Sequence, residues 1–108
     1  MMNSITAPEL AAFLKLPDAP RLLDVREPEE FEFASIPGAR LVPLGQIPAR
    51  IEQIADWKTE PIVVYCHHGI RSMHAINFLE HAGFSNLTNL SGGIDAWSRE
   101  VDPKTPRY

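Results

Sequence analysis

The chain has 108 residues, 44% hydrophobic and 22% charged, with 10 Lys+Arg against 14 Asp+Glu for a net charge of −4. That length argues for one domain, and the mild acidity offers no basic stripe to a nucleic acid. The longest apolar runs, such as Ile62-Val63-Val64-Tyr65-Cys66, are far short of the roughly 20 residues a membrane-spanning helix needs.

Residues 1–20 show neither a basic n-region nor a long apolar h-region, so no secretory signal is read and a cytoplasmic location is expected. Thr6-Ala7-Pro8-Glu9 reads as a capping box: Thr6 caps, Pro8 sits in the first turn and Glu9 reaches back. Ile5 and Leu10 are spaced for a hydrophobic staple. Leu10, Phe13 and Leu14 give an apolar helix face that ends before Pro17 and Pro20. Leu22, Leu23 and Val25 predict a short buried strand. A second helix is expected from Glu27, with Pro28 at its start and Phe31 as its packing residue, up to a turn at Ile36-Pro37-Gly38.

Arg40-Leu41-Val42 predicts a brief strand closed by Pro43. Ile47, Ile51, Ile54 and Ala55 recur as on an amphipathic α-helix. Residues 62–65, apolar and β-branched, predict the central strand. Met73, Ile76, Leu79 and Ala82 return to helical spacing, with Gly83 as the stop. Leu87 and Leu90 bracket a last strand, Gly92-Gly93 opens a short helix carrying Ala96 and Trp97, and residues 99–108, with two prolines, read as a surface tail.

Alternating strands and helices predict an α/β domain with a largely parallel sheet. Ligands of such sheets sit beyond the carboxyl ends of the strands, near the point where strand order reverses. Two polar clusters fall at such ends: Asp24-Val25-Arg26-Glu27, and Cys66-His67-His68-Gly69-Ile70-Arg71.

Cys66 is the only cysteine, which excludes an intrachain disulfide and a cysteine-only zinc site. Most lone cytosolic cysteines are inert packing residues, but this one leaves a buried strand and enters a helix expected at about Ser72. There, backbone N–H groups and the positive end of the helix dipole face the sulfur and favour its thiolate. Gly69 supplies the backbone freedom a tight ring of N–H groups needs. Arg71 adds a charge suited to an oxyanion. The segment reads as an anion cradle with a nucleophile at its base.

On these motifs the sequence resembles a rhodanese domain, the single-domain sulfurtransferase type, over residues 4–98. The resemblance is carried by Leu23-Asp24-Val25-Arg26-Glu27-Pro28-Glu29-Glu30-Phe31 followed by Ile36-Pro37-Gly38-Ala39, by the loop 66–72, and by Gly92-Gly93-Ile94-Asp95-Ala96-Trp97. It implies a five-stranded mostly parallel sheet with helices on both faces. It also implies that Cys66 takes the outer sulfur of a small anionic donor such as thiosulfate, carries it as a persulfide and yields it to an external thiol or to cyanide, in two steps and with no cofactor. His67, His68, Gly69, Ile70 and Arg71 would then form the substrate-binding ring.

Related phosphatases of this fold carry Cys-x5-Arg, whereas Cys66 and Arg71 give the tighter Cys-x4-Arg, which suits one sulfur atom better than a tetrahedral oxyanion. Tyr65 also stands where those phosphatases carry histidine. His67 and His68 replace the fixed cations of thiosulfate enzymes, and imidazole charge fades above roughly pH 6.5. Hence the alternative expectation is a sulfur-carrier or regulatory module with weak thiosulfate turnover.

For Asp24 and Arg26 the expected role is scaffolding, Asp24 accepting backbone N–H bonds and Arg26 pairing with a carboxylate such as Glu30. Gly92 and Gly93 are expected to serve a tight turn and Trp97 the core. No metal is expected: His74 and His81 lie opposite the apolar positions of their helix, and the adjacent His67 and His68 should point in different directions. With no second cysteine to resolve a persulfide, the sulfur must leave to an acceptor, small molecule or protein; neither nucleic acid nor membrane is expected as a partner.

Overall fold

The sheet is set by period-two alternation in its middle strand. In the computed structural model, which describes residues 3–108, strand β4 (Ile62–Tyr65) is buried along its whole length. Ile62, Val64 and the following Cys66 face one side with Leu23, Ile54, Trp57, Ile76 and Leu79. Val63 and Tyr65 face the other with Leu10, Leu22, Leu90, Ile94 and Trp97. A strand covered on both faces can be apolar throughout, which is why β4 lacks polar alternation.

The other strands are β1 (Asn3–Ile5), β2 (Arg21–Asp24), β3 (Arg40–Leu41) and β5 (Leu87–Leu90). All pairings are parallel and the order is β1-β5-β4-β2-β3. This is one compact α/β domain with a five-stranded parallel sheet. The direct neighbours β2 and β4 pair Asp24 with Tyr65, so the Asp24 cluster and the cysteine loop leave the same edge side by side.

Helices α1 (Ala7–Phe13), α2 (Pro28–Phe33), α3 (Ile47–Arg50), α4 (Ile70–His81) and α5 (Gly93–Glu100) flank the sheet. The capping box of α1 forms, with Glu9 N donating to Thr6 Oγ1 at 3.3 Å and Thr6 N to Glu9 Oε1 at 2.9 Å. Gly83 takes φ +97° and stops α4. Among the described residues no helix is long and apolar enough to cross a membrane.

Several expectations are corrected. Strand β1 has no counterpart in the residue-by-residue reading, because three residues with one buried side chain carry no period. The segment after β3 is not a continuous α-helix: one α turn is flanked by 3-10 turns at Leu44–Gln46 and Ile51–Trp57. Its inward positions Ile51, Ile54 and Trp57 keep the three-residue period of that tighter helix, and Ala55 is exposed. On α4 the buried face is Ser72, Ala75, Ile76 and Leu79, while Met73 is exposed. Phe13 is exposed, and Phe31 is only partly buried because α2 buries no residue fully. The last helix continues to Glu100 and so takes in the first two residues of the expected tail.

Candidate functional site

Cys66 is the first residue beyond β4, and the chain turns from it through residues 67–69 into α4. Its side chain is 1% exposed. Gly69 N donates to Cys66 Sγ at 3.1 Å and Ser72 N at 3.4 Å. Gly69 makes the turn possible: its φ of +114° is barred to other residues by their Cβ. Ser72 N is one of the amides at the start of α4 that helical geometry leaves without an intrahelical acceptor. Of the five predicted ring residues, Gly69 has its amide on the sulfur.

Sequence reasoning missed the support for this arrangement. The Cys66 thiol donates to Ser72 Oγ at 3.5 Å, Ser72 Oγ donates to Asn89 Oδ1, and Asn89 Nδ2 donates to the Gly69 carbonyl at 3.3 Å. Ser72 and Asn89 are both buried. The available signal was polarity out of place: a serine on the apolar stripe of a helix, and an asparagine between Leu87 and Leu90. Gly93 was underestimated too. The first turn of α5 lies against the loop, with Ile94 N donating to the Cys66 carbonyl at 2.9 Å and Asp95 N to the His67 carbonyl at 3.1 Å. Gly93 thus belongs to the loop as much as to a turn.

Arg71 does not extend freely over the sulfur. Its fork closes on Glu30, Nη1 to Oε1 at 2.7 Å and Nη2 to Oε2 at 2.9 Å. Glu30 is therefore the partner of Arg71, not of Arg26 as expected. Held first by the Arg71 hydrogen bonds, the Glu30 carboxyl is brought down to about 2 from an ordinary 4.5. A carboxylate lowered in this way stabilises the fold fully above its unfolded value and loses that contribution as pH falls from about 4.5 toward about 2. Glu30→Gln is expected to flatten the acid limb of Tm against pH in that window, by the equivalent of roughly 2 kcal/mol.

Arg26 and Asp24 form a pair with both side chains 0% exposed. Arg26 Nη2 meets Asp24 Oδ2 at 2.6 Å, and Arg26 Nε meets Oδ1 at 2.9 Å. Asp24 Oδ1 also accepts the Arg26 backbone amide at 2.9 Å. The remaining donors of Arg26 reach the carbonyls of Ala34 at 2.6 Å and Glu30 at 3.4 Å. The pair is a clamp on α2, and α2 carries Glu30 to Arg71. This is the scaffolding role expected of the two residues, with Asp24 in the place expected for Glu30.

The two loop histidines do not diverge. Their ring centroids are 4.0 Å apart with planes 31° from parallel, because the tight turn brings consecutive side chains to the same side. Burial, and then the neighbouring His68, push the His67 imidazole below its ordinary value, which favours its neutral form. His67 Nε2 is buried with no hydrogen-bond partner among the described residues. His68 is exposed, with Nδ1 4.0 Å from Asp95 Oδ2. Ile70 is 68% exposed at the rim. His74 and His81 face solvent as expected.

A buried cysteine at a parallel-strand end thus receives amides from a loop and a helix start. A family model described as "Rhodanese-like domain" matches residues 6–100. The chain belongs to the rhodanese-like domain family. A "Rhodanese-like/PpiC domain-containing protein 12, chloroplastic" of Arabidopsis thaliana is 43% identical over 94 residues, covering 84% of this chain and 31% of that protein. The chain thus spans less than a third of the plant protein's length. A "Sulfurtransferase" of Allochromatium vinosum is 36% identical over 103 residues, 95% of this chain and 94% of that one. The crystal structure of a rhodanese-like domain protein from Staphylococcus aureus superposes with a TM-score of 0.84 at 32% identity, covering 99% of both chains. Membership in the rhodanese-like family points to sulfurtransferase activity.

Proposed function

We propose that the chain is a sulfurtransferase in which Cys66 carries the transferred sulfur as a persulfide. One observation carries the reading: Cys66 Sγ, buried at the end of β4, receives the amides of Gly69 and Ser72 at 3.1 and 3.4 Å. Fixed N–H donors at that distance stabilise a sulfur anion without reorganising. With thiosulfate, the Cys66 thiolate attacks the outer sulfur. A bond forms between the two sulfurs while the bond to sulfite breaks, and sulfite leaves with the electron pair. An external thiolate, or cyanide, then attacks the outer sulfur of the persulfide and releases Cys66 as thiolate. No net oxidation occurs, and the chemistry needs a reduced thiol, which suits the cytoplasm. Gly69 and Ser72 hold the sulfur anion, while Arg71 sets the positive charge at the rim where the anionic end of a donor arrives. His67, His68 and Ile70 line the approach, and Asp24 with Arg26 supports it from beneath.

A second reading is favoured by one specific observation, the closure of both Nη groups of Arg71 on Glu30. A guanidinium already shared with a carboxylate attracts a dianion less than a free one does. The donor would then be a persulfide on another molecule, and the chain a sulfur carrier with weak thiosulfate turnover.

Intact mass after incubation with thiosulfate, and separately with a low-molecular-weight persulfide, tests both readings. The expected gain is one sulfur atom, absent from Cys66→Ala and removed by added thiol. Gain from the persulfide alone supports the carrier reading, and no gain from either donor would falsify the proposal.

A further inference from the structure

Segment 101–108 is pinned across the cysteine loop. Thr105 is buried and donates its amide to the Asp102 carbonyl at 3.0 Å. Arg107 Nε reaches Asp95 Oδ1 at 3.1 Å, and Asp95 stands in the first turn of α5, where its own amide holds the His67 carbonyl. These anchors deliver Tyr108 to the loop. Its ring lies on the His67 imidazole with centroids 3.9 Å apart and planes only 7° from parallel. Phe33 meets it edge-on at 5.8 Å and 81°.

The hydroxyl of Tyr108 accepts from Arg26 Nη1 at 2.7 Å and donates to Glu30 Oε2 at 2.6 Å. That same Glu30 oxygen accepts from Arg71 Nη2. One side chain therefore touches the buried clamp, the carboxylate that holds Arg71, and the first histidine of the loop. Tyr108 is 45% exposed, and its two hydrogen bonds go to Arg26 of the buried clamp and to Glu30, the carboxylate that holds Arg71. Charge-assisted bonds of this kind are the strong ones, and a phenol with two rotatable torsions is a rigid place to anchor them.

We propose that Tyr108 is a positioning residue of the sulfur-transfer site: it fixes the Glu30–Arg71 pair and His67, so that Arg71 presents a stationary positive charge to an anionic donor. The proposal rests on the sulfurtransferase reading given above, in that it names the residue that readies that site for anions. Without the hydroxyl, Glu30 Oε2 loses its tether to Arg26, and the Glu30–Arg71 pair, still joined by its own two hydrogen bonds, is held from α2 by the Glu27 amide alone and must be steadied as a unit when the donor arrives.

The test compares the rates at which Cys66 is alkylated by iodoacetate, an anion, and by iodoacetamide, its neutral counterpart of similar size, in wild type, Tyr108→Phe and Tyr108→Ala. In Tyr108→Phe the iodoacetate rate is expected to fall about ten-fold against the iodoacetamide rate, the factor carried by one charge-assisted hydrogen bond. Tyr108→Ala is expected to lose at least as much. In turnover, the KM for thiosulfate should rise by a similar factor while kcat stays within about two-fold. An unchanged ratio in both variants overturns the proposal. So does an equal fall in both rates, which is the mark of a purely structural residue. If the wild type gains no sulfur from any donor while the ratio still falls in the variants, the sulfurtransferase reading fails and the positioning of Arg71 by Tyr108 stands.

Discussion

Asp24→Asn is expected to lower stability by about 3–5 kcal/mol, because it leaves the Arg26 guanidinium charged in a site with no solvent and no counter-charge. For a chain of this length that is a fall in Tm of roughly 15–25 °C, read by thermal or denaturant unfolding. The loss comes from stranding the partner, so a double substitution is informative. Replacing both members with apolar residues, Asp24→Leu with Arg26→Met, removes the stranded charge and in simple ion pairs recovers the stability. Here recovery should stop short by about 1–3 kcal/mol, since Arg26 also holds the carbonyls of Ala34 and Glu30 and the hydroxyl of Tyr108. Full recovery in the double variant would show that Arg26 clamps nothing beyond Asp24. A single Asp24→Asn that unfolds like the wild type would show that the pair is not desolvated.

How much of this was legible in the sequence depends on where the physical constraint sits. Strand β4 and the α4 start were readable because local signals agree: a β-branched run, then a glycine, then helical spacing. The five strands were not all readable, since β1 is held by its pairing with β5 and its own residues carry no period. The 3-10 segment after β3 was misread for a related reason, as the Ile51–Ile54 spacing over one turn fits periods of 3 and 3.6 alike and only Trp57 breaks the tie. At the site, Cys66 and Gly69 announced themselves through spacing. Ser72 and Asn89 act through a hydrogen-bond chain that joins β5 to α4, and no local pattern predicts a partner 17 residues away. Arg71 was legible as a cation near the loop, yet its pairing with Glu30, 41 residues earlier, follows only from the adjacency of β2 and β4. Tyr108 was hidden by its setting: two prolines and no apolar period read as surface, and the structure turns that stretch back over the loop.

Gly93→Ala is expected to lower the rate of sulfur uptake by Cys66 about 100-fold, the loss that follows when a reacting group is misplaced by about 1 Å. The argument is steric. A Cβ at Gly93 would lie 2.5 Å from the Cys66 carbonyl oxygen and 2.6 Å from the His67 carbonyl carbon, distances that no rotamer change relieves because the obstacles are backbone. Those two carbonyls accept the amides of Ile94 and Asp95, so pushing them away from α5 unhooks the base of the cysteine loop and moves the sulfur off the Gly69 and Ser72 amides. The residue also has φ +59°, a left-handed conformation that costs an alanine about 1–2 kcal/mol. Gly38→Ala separates the two causes, since Gly38 has φ +89° with nothing within 4 Å of an added Cβ. That substitution should carry the backbone cost alone, about 1 kcal/mol, and leave sulfur uptake unchanged. If Gly93→Ala loses stability like Gly38→Ala but keeps its rate of sulfur uptake, the close packing of α5 on the loop does not set the position of Cys66.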